Sequence, residues 1–203
     1  MEQITGIWSV LLRDYVKKVE FEIANIEKIR QKGVFMNTIE TIRSRRSIRK
    51  YKAGVMIPKE DIKQILEAAM MAPSACNTRP WEFVVIENRE KLDAIMAVHP
   101  YVSMLRTASM AIIVCAKPEV QHGICLEYFP QDCGAATQNI LLAAAELGYG
   151  TCWCGVYPQE ERIEAVRNII GVESTPFAVV ALGVADEAPA ARGYYDENRV
   201  KWL

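Results

Sequence analysis

The sequence predicts an α/β or α+β sandwich, and three observations carry that expectation. Helix-like segments alternate with four short apolar stretches along residues 37–184. One of these, MAIIVCA at 110–116, is apolar without interruption, as in a strand buried on both faces. The length of 203 residues, 51% hydrophobic and 24% charged, allows a sizeable core in one domain without disulfide staples.

The elements follow in order. Residues 14–32, with Ile23, Ile26 and Ile29 among charged residues, predict an amphipathic helix ended by Gly33. Met36 then opens a segment that reads as a complete protein start, so residues 1–35 are taken as an N-terminal extension and 36–203 as the folded domain. A short helix is expected over 37–44. A second begins at Pro58, with Ile62, Ile65, Leu66, Ala69 and Met70 on one face, and ends before Pro73. Trp81–Ile86 (WEFVVI) reads as a buried strand, 89–97 as a helix and Met110–Ala116 as the second strand. Gln131–Leu147 predicts a long helix rich in small residues, with Gly148 at its end. Thr151–Val156 is the third strand, Gln159–Ile170 a helix stopped by Gly171, and Phe177–Val184 the fourth strand. The tail after Asp186 has no periodicity of its own.

Composition removes several function classes. A net charge of −1 argues against a surface built wholly for nucleic acid. No apolar run approaches the roughly 18–20 residues that span a bilayer, and the stretch Ile7–Leu12 lacks the flanks of a signal peptide. The six cysteines fit no zinc spacing, and Cys152 and Cys154 form only a C-x-C. They read as reduced thiols, several in the core, in a cytoplasmic protein. His99 and His122 lie far apart, which gives poor support to a triad or a metal site, so no metal is expected.

Three clusters could carry chemistry. The first, RSRRSIRKYK at 43–52, holds six cations and no acid. It is a solvated face, a nucleic-acid patch, or a single anion site in which guanidinium forks and Ser47 grip a phosphate. The second, MAPSACNTRPW at 71–81, is a polar loop bracketed by prolines. It is an ordinary turn, or it sets Ser74 and Asn77 against a planar heterocycle whose edge needs a donor and an acceptor. The third, GYGTCWCGV at 148–156, ends in Gly155, which is either a strand-end glycine or a place where a ligand ring approaches backbone N–H groups.

RRSIRKY, PSACNTRPW and the block QDCGAATQNILLAAAELGYGTCWCGV, in that order, resemble the FMN-dependent nitroreductase family from about Met36 to Leu203. The resemblance implies an α+β fold, with helices flanking a central, mostly antiparallel sheet, in an intertwined homodimer that holds FMN at its interface. Arg45, Arg46, Ser47 and Arg49 would hold the phosphate and ribityl side, with Arg192 of the tail closing on the phosphate. Pro73, Ser74, Ala75 and Asn77 would lie along the isoalloxazine, Ser74 and Ala75 coming from the partner subunit. Cys154, Gly155 and Val156 would lie on the far side, one of their backbone N–H groups aimed at flavin N5, which becomes electron-rich on reduction.

Two departures from the family pattern bear on substrate. Arg79 stands where many relatives have Gln, and would reach a substrate's negative charge or the nicotinamide cofactor. Cys154 stands where some relatives have an acid, which is tolerable if only the backbone N–H is used. A buried thiol is the commoner role for such a cysteine. Asp132 reads as a charge at the long helix's N-terminus, ahead of Gln138 in its middle. The expected activity is passage of hydride from NADH or NADPH to a nitroaromatic, quinone or similar small acceptor, without nucleic acid or membrane. A flavin-binding sensor or store and a nucleic-acid binder at 43–52 are the competing readings.

Overall fold

The computed structural model describes residues 37–190 and 192–203; the predicted helix at 14–32 and the extension 1–35 lie outside the described residues. The unit Thr38–Leu203 is built from α1 (Thr38–Ser44), α2 (Lys59–Met70), β1 (Trp81–Ile86), α3 (Arg89–Val98), β2 (Met110–Ala116), α4 (Phe129–Glu146), β3 (Gly150–Gly155), α5 (Glu160–Ile170) and β4 (Thr175–Gly183). The four strands form one sheet in the order β1-β2-β4-β3, and every pairing is antiparallel.

Period-two alternation along the central strands feeds two cores. Ala111, Ile113 and Cys115 of β2, with Val179 and Ala181 of β4, pack among Leu92 and Ile95 of α3 and Ile163 and Val166 of α5. Met110, Ile112, Val114 and Ala116, with Ala178, Val180 and Leu182, pack among Ile62 and Ile65 of α2 and Ile140 and Ala144 of α4. Helices therefore cover both faces of an antiparallel sheet, which is why MAIIVCA is apolar at every position.

Four details differ from the sequence reading. β1 is an edge strand and mostly half-buried; of its residues only Ile86 is buried. Met70 is exposed, leaving Ile62, Ile65 and Ala69 as the buried face of α2. α4 starts two residues early because Pro130 takes a first-turn position where no N–H is needed. β4 likewise starts at Thr175, and Pro176 is tolerated because it pairs beside the register shift between Val114 and Cys115. Among the described residues no helix is long and apolar enough to cross a membrane.

The basic segment 47–52 is laid onto the open edge of β3 and the end of β4. Ser47 bridges Thr151, Ile48 N–H donates to Thr151 O at 2.8 Å, and Tyr51 bridges Ala185. Two glycines permit this closeness. A Cβ on Gly150 would lie 2.9 Å from the Ile48 side chain, and one on Gly183 would lie 2.8 Å from the Tyr51 ring. The buried Tyr51 hydroxyl donates back to Ile48 O at 2.7 Å, fastening the segment's turn to the core.

Candidate functional site

The pairing that seats the basic segment also brings in the tail. Lys52 N–H donates to Val184 O and Asp186 N–H to Lys50 O, both at 2.9 Å, so residues 187–190 and 192 emerge facing 45–49. Together they enclose a cleft of about 450 Å³ lined by Arg45, Arg46, Ser47, Arg49, Glu187, Pro189, Ala190 and Arg192. Arg46 tethers the tail: its Nη1 donates to Arg45 O at 2.6 Å and its Nε to Ala190 O at 3.2 Å. Glu187 accepts the backbone N–H groups of Arg49 and Lys50. The guanidiniums of Arg45, Arg49 and Arg192 make no hydrogen bond or salt bridge among the described residues. Four guanidiniums thus face one carboxylate, a balance that attracts an anion.

From that cleft the free edge of β3 runs to Gly155, about 13 Å further on at some 3.3 Å per residue. Thr151 O points outward to the basic segment, while Val156 N–H points inward to Phe177 O at 2.9 Å. Alternation along the strand then turns the Gly155 N–H to the open edge, away from β4. Val156 is fully buried with its N–H engaged, and the Cys154 side chain lies in the core, its thiol donating to Tyr101 O at 3.2 Å. Of the three residues only Gly155 turns an N–H to this edge, because the same alternation points the Cys154 and Val156 N–H groups inward to β4. The neighbouring Cys152 thiol is pulled below its ordinary range by hydrogen bonding with Cys154, against desolvation and with help from the Arg49 charge; Cys154 is held above it by the same pairing and by burial.

Gly155 is held by two side chains that sequence reasoning missed. His99, 1% exposed, places Nε2 3.0 Å from Gly155 O, and Arg162 Nη1 donates to the same oxygen at 3.0 Å. Because Tyr101 N–H donates to His99 Nδ1 at 3.2 Å, the ring's proton belongs on Nε2. Burial holds the His99 pKa below 6.5, so the ring is neutral. Arg162 also lines a second cleft of about 590 Å³, but Glu160 and Glu161 there give it the wrong charge for an anion.

The loop after α2 is elsewhere: none of Pro73, Ser74, Ala75, Asn77 or Arg79 lines the arginine cleft of the same chain. Its shape is set by internal bonds. Ser74 Oγ accepts the Arg79 N–H at 2.9 Å, and Arg79 Nε donates to Asn77 Oδ1 at 3.0 Å. Asp132, buried in the first turn of α4, accepts the Ala75 N–H on one oxygen and Gln121 Nε2 on the other, each at 3.0 Å. It is a loop anchor as well as a helix N-terminal charge. Cys76 and Cys125 form a disulfide, which corrects the reading of all six cysteines as thiols; Cys115, Cys133, Cys152 and Cys154 are free and buried.

A spacing of 49 residues carried no signal for that bond. Nor did the sequence mark Glu187, Pro189 and Ala190 as cleft residues, since only tail pairing with 50–52 brings them there. His99 was legible only as an isolated histidine.

Comparison with known proteins gives a consistent result. The family model described as Nitroreductase family matches residues 42–100 and 96–185. A Methanothermobacter thermautotrophicus protein, provisionally named NADH dehydrogenase/NAD(P)H nitroreductase, is 45% identical over 172 residues, covering 82% of this chain and 88% of its own. An FMN-dependent nitroreductase of Clostridium difficile superposes with a TM-score of 0.74 at 30% identity, over 81% of this chain and 98% of that one. A Desulfovibrio desulfuricans protein solved in complex with FMN, and provisionally described as a nitroreductase, gives 0.70 at 27% identity, over 83% and 97%.

Proposed function

This chain belongs to the nitroreductase family, and from that premise we propose that it is an FMN-dependent oxidoreductase passing hydride from NADH or NADPH to a nitroaromatic, a quinone or a similar small acceptor. One observation carries the reading. The arginine cleft and the outward Gly155 N–H lie along the same free strand edge, separated by the length of one strand.

The residues present fit FMN. A dianionic phosphate suits a cleft in which three guanidiniums make no bond within the described chain and Ser47 adds a neutral donor. FMN, when bound, supplies a two-electron redox centre at its N5. The chain's part is orientation and electrostatics. Arg45, Arg49 and Arg192 neutralise the phosphate end, while Arg46 keeps the tail folded over it. Gly155 holds a backbone proton on the edge where electron density rises during reduction, and a donor fixed beforehand needs no reorganisation at that moment. His99 and Arg162 fix the plane of that residue through its carbonyl.

Ser74 and Ala75 complete this reading if they reach the isoalloxazine from a second subunit, with Asn77 also lying along it; none of the three lines the arginine cleft of its own chain. A homodimer with its flavin at the interface is therefore part of the proposal. Arg79, exposed and with Nε tied to Asn77, offers its remaining donors to an anionic group on the nicotinamide cofactor or the acceptor.

The test is the absorbance of the protein as purified, followed by anaerobic addition of NADH or NADPH. Flavin bands that bleach with either nicotinamide are expected. Colour that neither reductant bleaches would leave a sensor or flavin store in place of the enzyme. A colourless protein that cannot be loaded with FMN would overturn the flavin reading and restore the nucleic-acid alternative for residues 43–52.

A further inference from the structure

The Cys76–Cys125 bond lies outside both core clusters and closes a span of 49 residues. What it holds is the loop after α2. Cys76, Asn77 and Arg79 have φ of 50°, 56° and 50°, left-handed backbone that Asn tolerates but that Cys and Arg seldom adopt without support from their surroundings. Two ties to residues outside the loop support it, one to the first turn of α4 and one to Cys125 ahead of that helix. One is the Asp132 carboxylate on Ala75 N–H, and the other is the disulfide one residue further along. The two residues are unlike: within the single chain Cys76 is exposed, whereas Cys125 is 1% exposed. The four other cysteines are buried thiols, and burial pushes Cys115 and Cys133 up to about 12.

We propose that Cys76–Cys125 is a thiol–disulfide exchange site, opened by a dithiol on the side of the exposed residue Cys76, and that its redox state sets the order of the Ser74–Arg79 loop. A thiolate of the dithiol bonds to Cys76 Sγ as the Cys76–Cys125 bond breaks, and Cys125 leaves as a thiolate that takes up a proton. The dithiol's second thiolate then displaces Cys76, which leaves and is protonated. The dithiol ends as a disulfide and the protein has gained two electrons and two protons. With the covalent tie gone, the Asp132 anchor and the loop's own side-chain bonds are left to oppose relaxation of the left-handed residues, and the turn bonds Asn77 N–H to Ser74 O and Thr78 N–H to Ala75 O (3.0 Å each) open more often. The consequence for turnover rests on the reading above that this loop carries Asn77 and Arg79 to the flavin and its acceptor: the oxidised loop presents them in one arrangement and the reduced loop does not.

The experiment uses the full chain purified under air, before and after native treatment with dithiothreitol. Thiols are counted by alkylation after acid quench and denaturation, and amide exchange is followed by mass spectrometry. The count should rise from four to all six cysteines. Exchange in the peptide spanning 74–79 should quicken at least about tenfold while the β2 peptide is unchanged. Cys76→Ser, an exposed substitution, should show the fast loop exchange without dithiol and no response to it. Six thiols before treatment, no new thiols after it, or a loop in Cys76→Ser as slow as the oxidised parent would each overturn the proposal. These readouts do not depend on flavin, so a protein that cannot be loaded with FMN would refute the enzymatic reading and leave this one standing.

Discussion

Replacing Arg45 and Arg49 together by alanine separates cofactor binding from folding. Neither guanidinium makes a hydrogen bond or salt bridge among the described residues, so their loss should change stability by no more than about 0.5 kcal/mol. Each charge-assisted contact to a phosphate is worth about 1.5 to 3 kcal/mol, so losing two costs about 3 to 6 kcal/mol of binding. The FMN dissociation constant should then rise about a hundredfold to ten-thousandfold. Titrating apoprotein with FMN and following flavin fluorescence measures this, with thermal unfolding as the control for fold. Arg46→Ala is the contrasting variant. It removes two bonds to backbone carbonyls, of Arg45 and Ala190, and should lower stability as well as affinity. A double variant that retains stoichiometric flavin with an unchanged dissociation constant would refute the assignment of this cleft to the phosphate.

Three further outcomes follow from the geometry. Asp132→Ala leaves the Ala75 N–H and the Gln121 amide without their charged acceptor, and should cost about 3 to 5 kcal/mol in chemical denaturation; a loss below about 1 kcal/mol would contradict the anchoring role. His99 has a folded pKa below its unfolded value of 6.5, so the unfolded chain binds the proton first and the stability this group contributes is present above pH 6.5 and lost as pH falls through the folded value. Denaturation from about pH 7 to about pH 5 should therefore show a shallower decline in His99→Gln than in the parent, and equal slopes would exclude this linkage. Light scattering should give a dimer, and a monomer that still holds flavin would argue against an interface site.

Much of the fold was legible because burial on two faces leaves a mark in every residue of a strand, as in Met110–Ala116. Strand direction left no such mark: helices covering both faces produce the same apolar run in parallel and antiparallel sheets. Edge position was equally silent, so Trp81–Ile86 read as buried although its outer side pairs with nothing among the described strands. In the site, Arg45, Arg46, Ser47 and Arg49 could be grouped because they are neighbours in sequence, and Arg192 only through family resemblance. The partners that give each group its role come from other elements of the fold. Glu187, His99 and Arg162 reach their targets through pairings that no local pattern encodes, and Asp132 showed its helix position but not the Ala75 N–H it receives from 57 residues earlier.

Gly150 and Gly183 each leave a notch the width of a methyl group, into which Ile48 and Tyr51 are keyed. The arginines are consequently indexed to the rigid middle of the molecule rather than to a free surface strand. A single added carbon at either notch would lever the whole cationic row outward without touching any of its members. Loss of cofactor from such a variant would then look, by inspection of the ligand's own neighbours, like a defect without a cause.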